Sequence, residues 1–332
     1  MVSDKLLSAA AGRYGFDLAT LNFISASTNE IYMFTKNSKG YILRFSQRAE
    51  EFVHQIKAEM DWLYYLANKS IGVSLPLYTT DDEVTFCVED DGKNWIVTSF
   101  ETASGVFWDK NDSARWNETI FCKWGKIMGD IHRLTKDYTP SSPVDVREDF
   151  SEKSILDSDI KHCPPVMKEA EEIVAEMLSM SKNADGYNLV HFDVHPWNFL
   201  IDGDKINVFD FDDSVYGWLA LDIGIALYHG IWWGRPDLPE KVPAFTEMYI
   251  KSFMNGYLSA NKLSAYWIKK IPMFMRYRQI SRFSWFFDPE NPRDNSRKQM
   301  NLIKLIENRL LFKELKADEI ENIFYSIASV AK

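Results

Sequence analysis

The sequence predicts an α+β fold in two unequal parts, a small β-rich portion over about residues 1–105 and a larger, mainly helical portion over 106–332. Two observations point that way. Short runs rich in β-branched and aromatic residues, LNFIS, EIYMFT, GYILRFS and KNWIVTSFE, all fall before residue 105, whereas the chain beyond reads chiefly as helices. The exception is 187–214, YNLVHFDVHPWNFLIDGDKINVFDFDDS, where three short apolar strands alternate with polar loops around the turn Asp202-Gly203-Asp204. No repeat, low-complexity tract or flexible linker argues for separate domains.

In chain order, MVSDKLLSAAAGRYG reads as an amphipathic helix rather than a signal peptide, having an early Asp and no continuous apolar core. Three β runs follow, with Asn37-Ser38-Lys39-Gly40 as the turn between the last two. In GYILRFS the alternation sets Tyr41, Leu43 and Phe45 on one face and Ile42 and Arg44 on the other. A helix from about Ala49 to Asn68 carries the stripe Val53, Ile56, Met60 and Leu63, and Glu59 lies within it. A carboxylate facing the core needs a cation, and Arg44 is the obvious one. Strands are expected near Gly72–Tyr78 and Val84–Glu89, then from Trp95 to Phe100, which breaks into Glu101-Thr102-Ala103-Ser104-Gly105.

The larger part opens with a helix over Trp116–Thr135, in which His132 reads as structural. Residues 139–163 are polar and Pro-containing, an expected surface excursion able to reach a substrate. A helix over Val166–Met180 leads to the hairpins. Further helices are expected near Pro243–Ala260, Ala265–Phe287 and Asn295–Leu315, with a last one to Ala328. Tyr228, Trp232, Trp233 and Trp285 suggest an aromatic wall, although such stripes more often make plain core.

The chemistry concentrates in 187–214, where a carboxylate, an amide and a second carboxylate stand at strand ends and gather oxygen ligands for a hard cation. His191-x-Asp193 with Asn198 five residues on matches the kinase catalytic loop, in which the Asp accepts the substrate hydroxyl proton and the Asn holds magnesium. Asp210-Phe211-Asp212 falls where kinases place their metal-binding aspartate. Asp193 is therefore the candidate base, and Asn198 and Asp210 the candidate metal ligands. A rival reading makes His191, Asp193 and His195 transition-metal ligands. It lacks partners, because His54, His132, His162 and His229 are scattered without ligand spacing.

HFDVHPWNFLID followed by VFDFDDSVYGWLALDIGIALYH resembles the aminoglycoside phosphotransferase and choline kinase family, small-molecule kinases built like protein kinases. The resemblance implies a two-lobed protein-kinase-like fold with its active site between the lobes. It also implies ATP and Mg2+ as cofactors and a small-molecule hydroxyl as acceptor. Phe192 stands where members usually have glycine. By the same resemblance Ser25–Asn29, including Ser27, is the phosphate loop, here without glycine, and Arg44 replaces the usual phosphate-binding lysine. Arg44 with Glu59 reproduces the kinase Lys–Glu pair, the backbone at Ser99, Phe100 and Glu101 binds the purine edge, and Asp222 supports the catalytic loop. The helix core WGKIMGDIHRL resembles the family's glycine-punctuated helix, in which small residues allow close packing. The alternative reading leaves Arg44 an exposed strand arginine and Glu59 an edge carboxylate in water.

Composition narrows the partners. A net charge of −10 argues against nucleic acid or an anionic membrane. Cys87, Cys122 and Cys163, odd in number and far apart, make no disulfide framework or zinc site, which fits a reducing cytoplasm. Two alternatives stand beside the small-molecule kinase. One is a nucleotide-binding pseudokinase, favoured by the Gly-poor loop and Arg44 but opposed by the intact Asp193, Asn198 and Asp210. The other is a kinase of protein hydroxyls, opposed by the lack of an activation segment between Asp210 and Asp222.

Overall fold

The computed structural model describes residues 2–156, 160, 164–286, 300, 304–305 and 307–331. In chain order its elements are α1 (Asp4–Tyr14), β1 (Asn22–Ala26), β2 (Glu30–Lys36), β3 (Lys39–Gln47), α2 (Val53–Asn68), β4 (Thr85–Asp90), β5 (Lys93–Glu101), α3 (Glu118–Thr135), α4 (Lys153–Leu156) and α5 (Pro164–Ser179). There follow β6 (Tyr187–Val190), β7 (Phe199–Asp202), β8 (Lys205–Val208), β9 (Val215–Trp218), α6 (Leu219–Gly234), α7 (Val242–Ala260), α8 (Ala265–Phe286) and α9 (Ala317–Val330). They divide into two compact units: unit 1 takes Met1–Val106, Asp137–Glu148 and Leu200–Asp212, and unit 2 the rest.

Unit 1 is built on an antiparallel sheet of strand order β1-β2-β3-β5-β4. Helix α1 starts where the Ser3 hydroxyl accepts the Leu6 N–H, and it stops at Gly15, whose φ of 65° is left-handed. The two-residue β2–β3 turn has φ of 51° at Asn37 and 61° at Ser38, the twist a tight hairpin requires. Tyr41, Leu43 and Phe45 join Leu6, Ala10 and Tyr14 in one apolar core. Arg44, on the other face, meets α2, whose buried residues are Ile56, Ala58, Glu59, Met60, Trp62, Leu63 and Leu66.

One expectation needs correction here. Gly72–Tyr78 is not a strand; it makes only isolated bridges, Val73 with Val208 and Pro76 with Phe100, and Pro76 has no N–H to extend a ladder. The polar excursion runs along the surface as expected over its first half, where 137–148 belongs to unit 1 and only Arg147 is buried. Tyr138 and Ser141 donate their hydroxyls to the Asp61 carboxylate of α2, each at 2.6 Å, and Arg147 is only 9% exposed.

Unit 2 is helical apart from the β6–β9 pair. Helices α3 and α7 pack closely through glycines: a Cβ on Gly125 would lie 1.9 Å from the Phe253 carbonyl oxygen, and one on Gly256 1.9 Å from that of Cys122. Helix α6 is apolar nearly all round, and its buried residues run from Leu219 through Ile231. The helix expected over 295–315 does not reach its expected end: 308–315 form turns and an isolated bridge between Phe312 and Leu315, while 295–299, 301–303 and 306 lie outside the described residues, as do Cys163 and the Trp285 side chain. Among the described residues no helix is long and apolar enough to cross a membrane.

Candidate active site

In unit 2 the loop after β6 presents Asp193. Its Oδ1 accepts a hydrogen bond from Arg278 Nη2. Its Oδ2 accepts from Asn198 Nδ2 at 3.2 Å and lies 3.3 Å from His195 Nε2. His195 Nδ1 accepts the Trp197 N–H at 3.2 Å, so the proton of the neutral ring sits on Nε2 and faces Asp193. Burial alone would raise the Asp193 pKa, but Arg278 first and His195 next outweigh it and hold the carboxyl well below the usual carboxylate range. Asn198 Nδ2 also donates to the Asp193 carbonyl at 2.9 Å, which turns the amide oxygen the other way and leaves it for a cation.

The loop keeps its shape through a buried relay. Phe192 has φ of 70°, a left-handed conformation that favours glycine and costs a side-chain-bearing residue about 1–2 kcal/mol. Asp222 offsets this by accepting the Phe192 N–H at 2.8 Å and the His191 N–H at 3.2 Å. Asp222 also accepts from His132 Nε2 at 3.0 Å, so His132 Nδ1 must accept from the Tyr257 hydroxyl at 2.9 Å, and that hydroxyl accepts from Asn261 Nδ2 at 2.9 Å. The chain Asn261–Tyr257–His132–Asp222 is thereby hydrogen-bonded from end to end inside the core, and His132 is structural.

Unit 1 holds the other predicted residues. Arg44 is 3% exposed and donates twice to Glu59, Nη1 at 3.1 Å and Nη2 at 2.7 Å, and through Nε to the Thr98 hydroxyl at 3.1 Å. Its guanidinium lies 4.9 Å above the Phe100 ring. Arg44 Nη1 is 3.8 Å from Asp212 Oδ1, while Asp212 Oδ2 accepts from Arg48 at 2.6 Å and from Asn29 at 3.0 Å. Arg147 donates to the Asp212 carbonyl at 2.6 Å. Burial would raise the Asp212 carboxyl, yet Arg44 and Arg48 chiefly hold it below its ordinary value. Asp210 follows β8 with φ of 64°, and the next residue, Phe211, is anchored edge-on against Trp62 at 5.2 Å.

The donors suit a hard divalent ion. An amide oxygen and a carboxylate are the ligands Mg2+ takes when substrate phosphates complete its shell. Among the described residues no group of three or more His, Cys, Asp or Glu is placed to hold a metal. His191 and His195 instead turn Nδ1 to the backbone N–H groups of Asp193 and Trp197.

Comparison with known proteins agrees with this chemistry. Residues 20–261 match the phosphotransferase enzyme family. The chain belongs to that family. This phosphotransferase is 34% identical over 282 residues to an amicoumacin kinase of Bacillus subtilis (strain 168), covering 83% of this chain and 82% of that one. Its structure is similar to that of the amicoumacin kinase hAmiN in complex with AMP-PNP, Ca2+ and Ami, with a TM-score of 0.85 and 25% identity over 96% of this chain and 97% of that one. A microcompartment-associated aminopropanol kinase shares the fold, with a TM-score of 0.71 and 19% identity over 92% and 94%. The phosphotransferase is thus a small-molecule kinase with the protein-kinase-like α+β fold.

The remaining predicted residues sit as follows. Ser27 lies in the exposed β1–β2 turn, its N–H on the Asn29 carbonyl at 3.1 Å, and Asn29 is tied through its side-chain oxygen to the Ser46 hydroxyl at 2.7 Å. At the expected purine edge the Ser99 carbonyl accepts the Leu77 N–H and the Glu101 N–H donates to the Leu75 carbonyl, both at 2.8 Å. Those two groups are already bonded to the 72–78 segment, a commitment the apolar pattern of β5 did not reveal. Tyr228 is core, whereas Trp233 stacks on His229 at 4.5 Å and takes the edge of His195 at 5.1 Å.

Sequence reasoning passed over Arg278 and His229 in unit 2 and Arg48, Arg147 and Asp212 in unit 1. His229 had a usable signal, since it follows Asp222 by seven residues on one helix and so shares its face. Arg147, in a loop, had none.

Proposed function

We propose that this phosphotransferase moves the γ-phosphoryl group of ATP to a hydroxyl of a small molecule, with Asp193 as the base. The observation that carries the reading is the Asp193 carboxylate, ionised and fixed by Asn198, His195 and Arg278 in a loop whose backbone is clasped by Asp222. The acceptor oxygen bonds to the γ-phosphorus as the bridging P–O bond to ADP breaks, and the hydroxyl proton passes to Asp193. Such catalysis is mostly positioning and electrostatics.

Asn198, through its amide oxygen, and Asp210 would be the ligands of Mg2+. The bound ion neutralises phosphate charge. Residues 1–105 serve as the nucleotide-covering lobe and 106–332 as the catalytic and acceptor lobe. In the former, the Ser27 turn covers the phosphates, and Arg44, oriented by Glu59, adds positive charge. The purine edge is read beside Phe100 by the backbone from the Glu101 carbonyl onward, beyond the groups committed to the 72–78 segment. Free Cys87 and Cys122 accord with a cytoplasmic setting.

Amicoumacin is the first acceptor to try, given the named relatives, followed by amino alcohols and amino sugars. Acceptor-dependent ADP release with Mg-ATP tests the proposal. Nucleotide binding without transfer to any acceptor would refute it in favour of a binding protein.

A further inference from the structure

Arg48, the residue after β3, reaches the same carboxylate as Arg44 but is far less used up by its contacts. Asp212 Oδ2 accepts both from Arg48 Nη2 at 2.6 Å and from Asn29 Nδ2 at 3.0 Å. Asn29 closes the β1–β2 turn, its carbonyl accepting the Ser27 N–H at 3.1 Å and its side-chain oxygen the Ser46 hydroxyl at 2.7 Å. Two donors on one oxygen are near neighbours, so the Arg48 guanidinium stands beside the stem of the turn that carries Ser27. All of these residues belong to unit 1.

The Asp212 contact takes one of the five N–H groups of Arg48, and the other four have no hydrogen-bond partner among the described residues. Whichever Nη2 hydrogen is used, one pair of parallel N–H groups on the guanidinium remains whole, the geometry that grips a phosphate with two bonds. The Arg48 side chain is 22% exposed, against 4% for that of Arg44, whose Nε, Nη1 and Nη2 are directed to Thr98 and Glu59. Arg44 is therefore placed to act through its charge, and Arg48 to act by contact.

We propose that Arg48 is a nucleotide-binding residue, which donates its free N–H groups to phosphate oxygens of the nucleotide while Asp212 holds it beside the Ser27 turn. The inference deepens the phosphate-covering role given to that turn under the proposed function, and rests on it.

The test has two arms. In the first, the affinities of ATP and of adenosine are measured by titration calorimetry in the presence of Mg2+ for the wild type, Arg48→Gln and Arg48→Lys. Arg48→Gln is expected to weaken ATP by about tenfold or more, the order of one charge-assisted hydrogen bond, and adenosine by under about twofold. Arg48→Lys loses part of that ATP affinity, because it keeps the charge but not the fork. The second arm uses the wild type and needs no variant to fold. Phenylglyoxal modifies accessible guanidinium groups, and its reaction at Arg48 is followed by mass spectrometry of the peptide that carries it. ATP slows this modification severalfold, whereas adenosine leaves it unchanged. An ATP-to-adenosine affinity ratio that is the same in Arg48→Gln as in the wild type, or modification that ATP slows no more than adenosine does, overturns the inference; the wild type's own preference for ATP then still upholds the nucleotide reading. A wild type that binds ATP no better than adenosine overturns that reading and this inference with it.

Discussion

Arg44 in unit 1 and Arg278 in unit 2 each hold a carboxylate, and they differ in what is left over. Arg44 directs three N–H groups to Glu59 and Thr98, lies over Phe100 and is nearly closed off at 3% exposure. Arg278 directs two to Asp193 and His229 and keeps its remaining donors within reach of solvent. The first pair joins a strand to a helix, so its removal is felt as stability. The second presents the carboxylate proposed as base, so on that reading its removal is felt as turnover.

Four experiments break or sharpen that contrast. Asp193→Asn is expected to lower kcat by roughly a hundredfold to ten-thousandfold, the usual range for a general base, with nucleotide affinity and Tm little changed. Near wild-type turnover on a verified acceptor would remove Asp193 from the mechanism and with it the functional side of the comparison. Glu59→Ala leaves Arg44 buried and unpaired, which costs about 3–5 kcal/mol of stability by denaturant unfolding. A loss below about 1 kcal/mol would mean that Arg44 finds solvent or Asp212 instead, and that the two arginines are more alike than their burial indicates.

Arg44→Lys keeps the charge but loses the two-pronged grip on Glu59, so a drop of about 1–3 kcal/mol is expected. The same variant should weaken ATP more than adenosine, because only ATP carries phosphates. Equal weakening of both would confine Arg44 to a structural role. The smallest effect belongs to the peripheral pair His54–Asp145, at 2.7 Å. Burial opposes ionisation of Asp145, but the hydrogen bonds from His54 and Ser142 prevail and its folded-state pKa is lowered. Its contribution is therefore present above the unfolded carboxylate value of about 3.9 and is lost as pH falls through the lower folded value. Asp145→Asn should cost under about 1 kcal/mol at pH 6, and the difference from wild type should shrink toward pH 3 in thermal melts. A gap that persists in acid would mean that packing, not charge, holds this contact.

Much of the contrast was legible before any coordinates. The Arg44–Glu59 pair could be anticipated because strand alternation and a helical stripe each put a charged residue on an inward face, and two opposite buried charges must meet. Arg278 could not, because an arginine on a helix with other basic residues carries no local mark of what its guanidinium will reach. The run Gly72–Tyr78 looked like a strand because apolar content is local, whereas pairing depends on which neighbour edge still has free N–H and C=O groups. Arg147 came from a segment whose composition suggested only a polar surface.

The sequence by itself determined the β-rich and helical parts, the Asp193–Asn198 spacing, the strand-end Asp210 and the opposite faces of β3, since each depends on residues a few positions apart. Only the tertiary structure decided that Asp222 clasps the left-handed Phe192, that Asp212 gathers Asn29 and Arg48, and that Arg278 meets Asp193. Those partners are separated from each other by 30 to 183 residues, and no periodicity reaches across such gaps. They are selected by the cost of leaving a buried charge or N–H unmatched, which is paid only once the chain has folded.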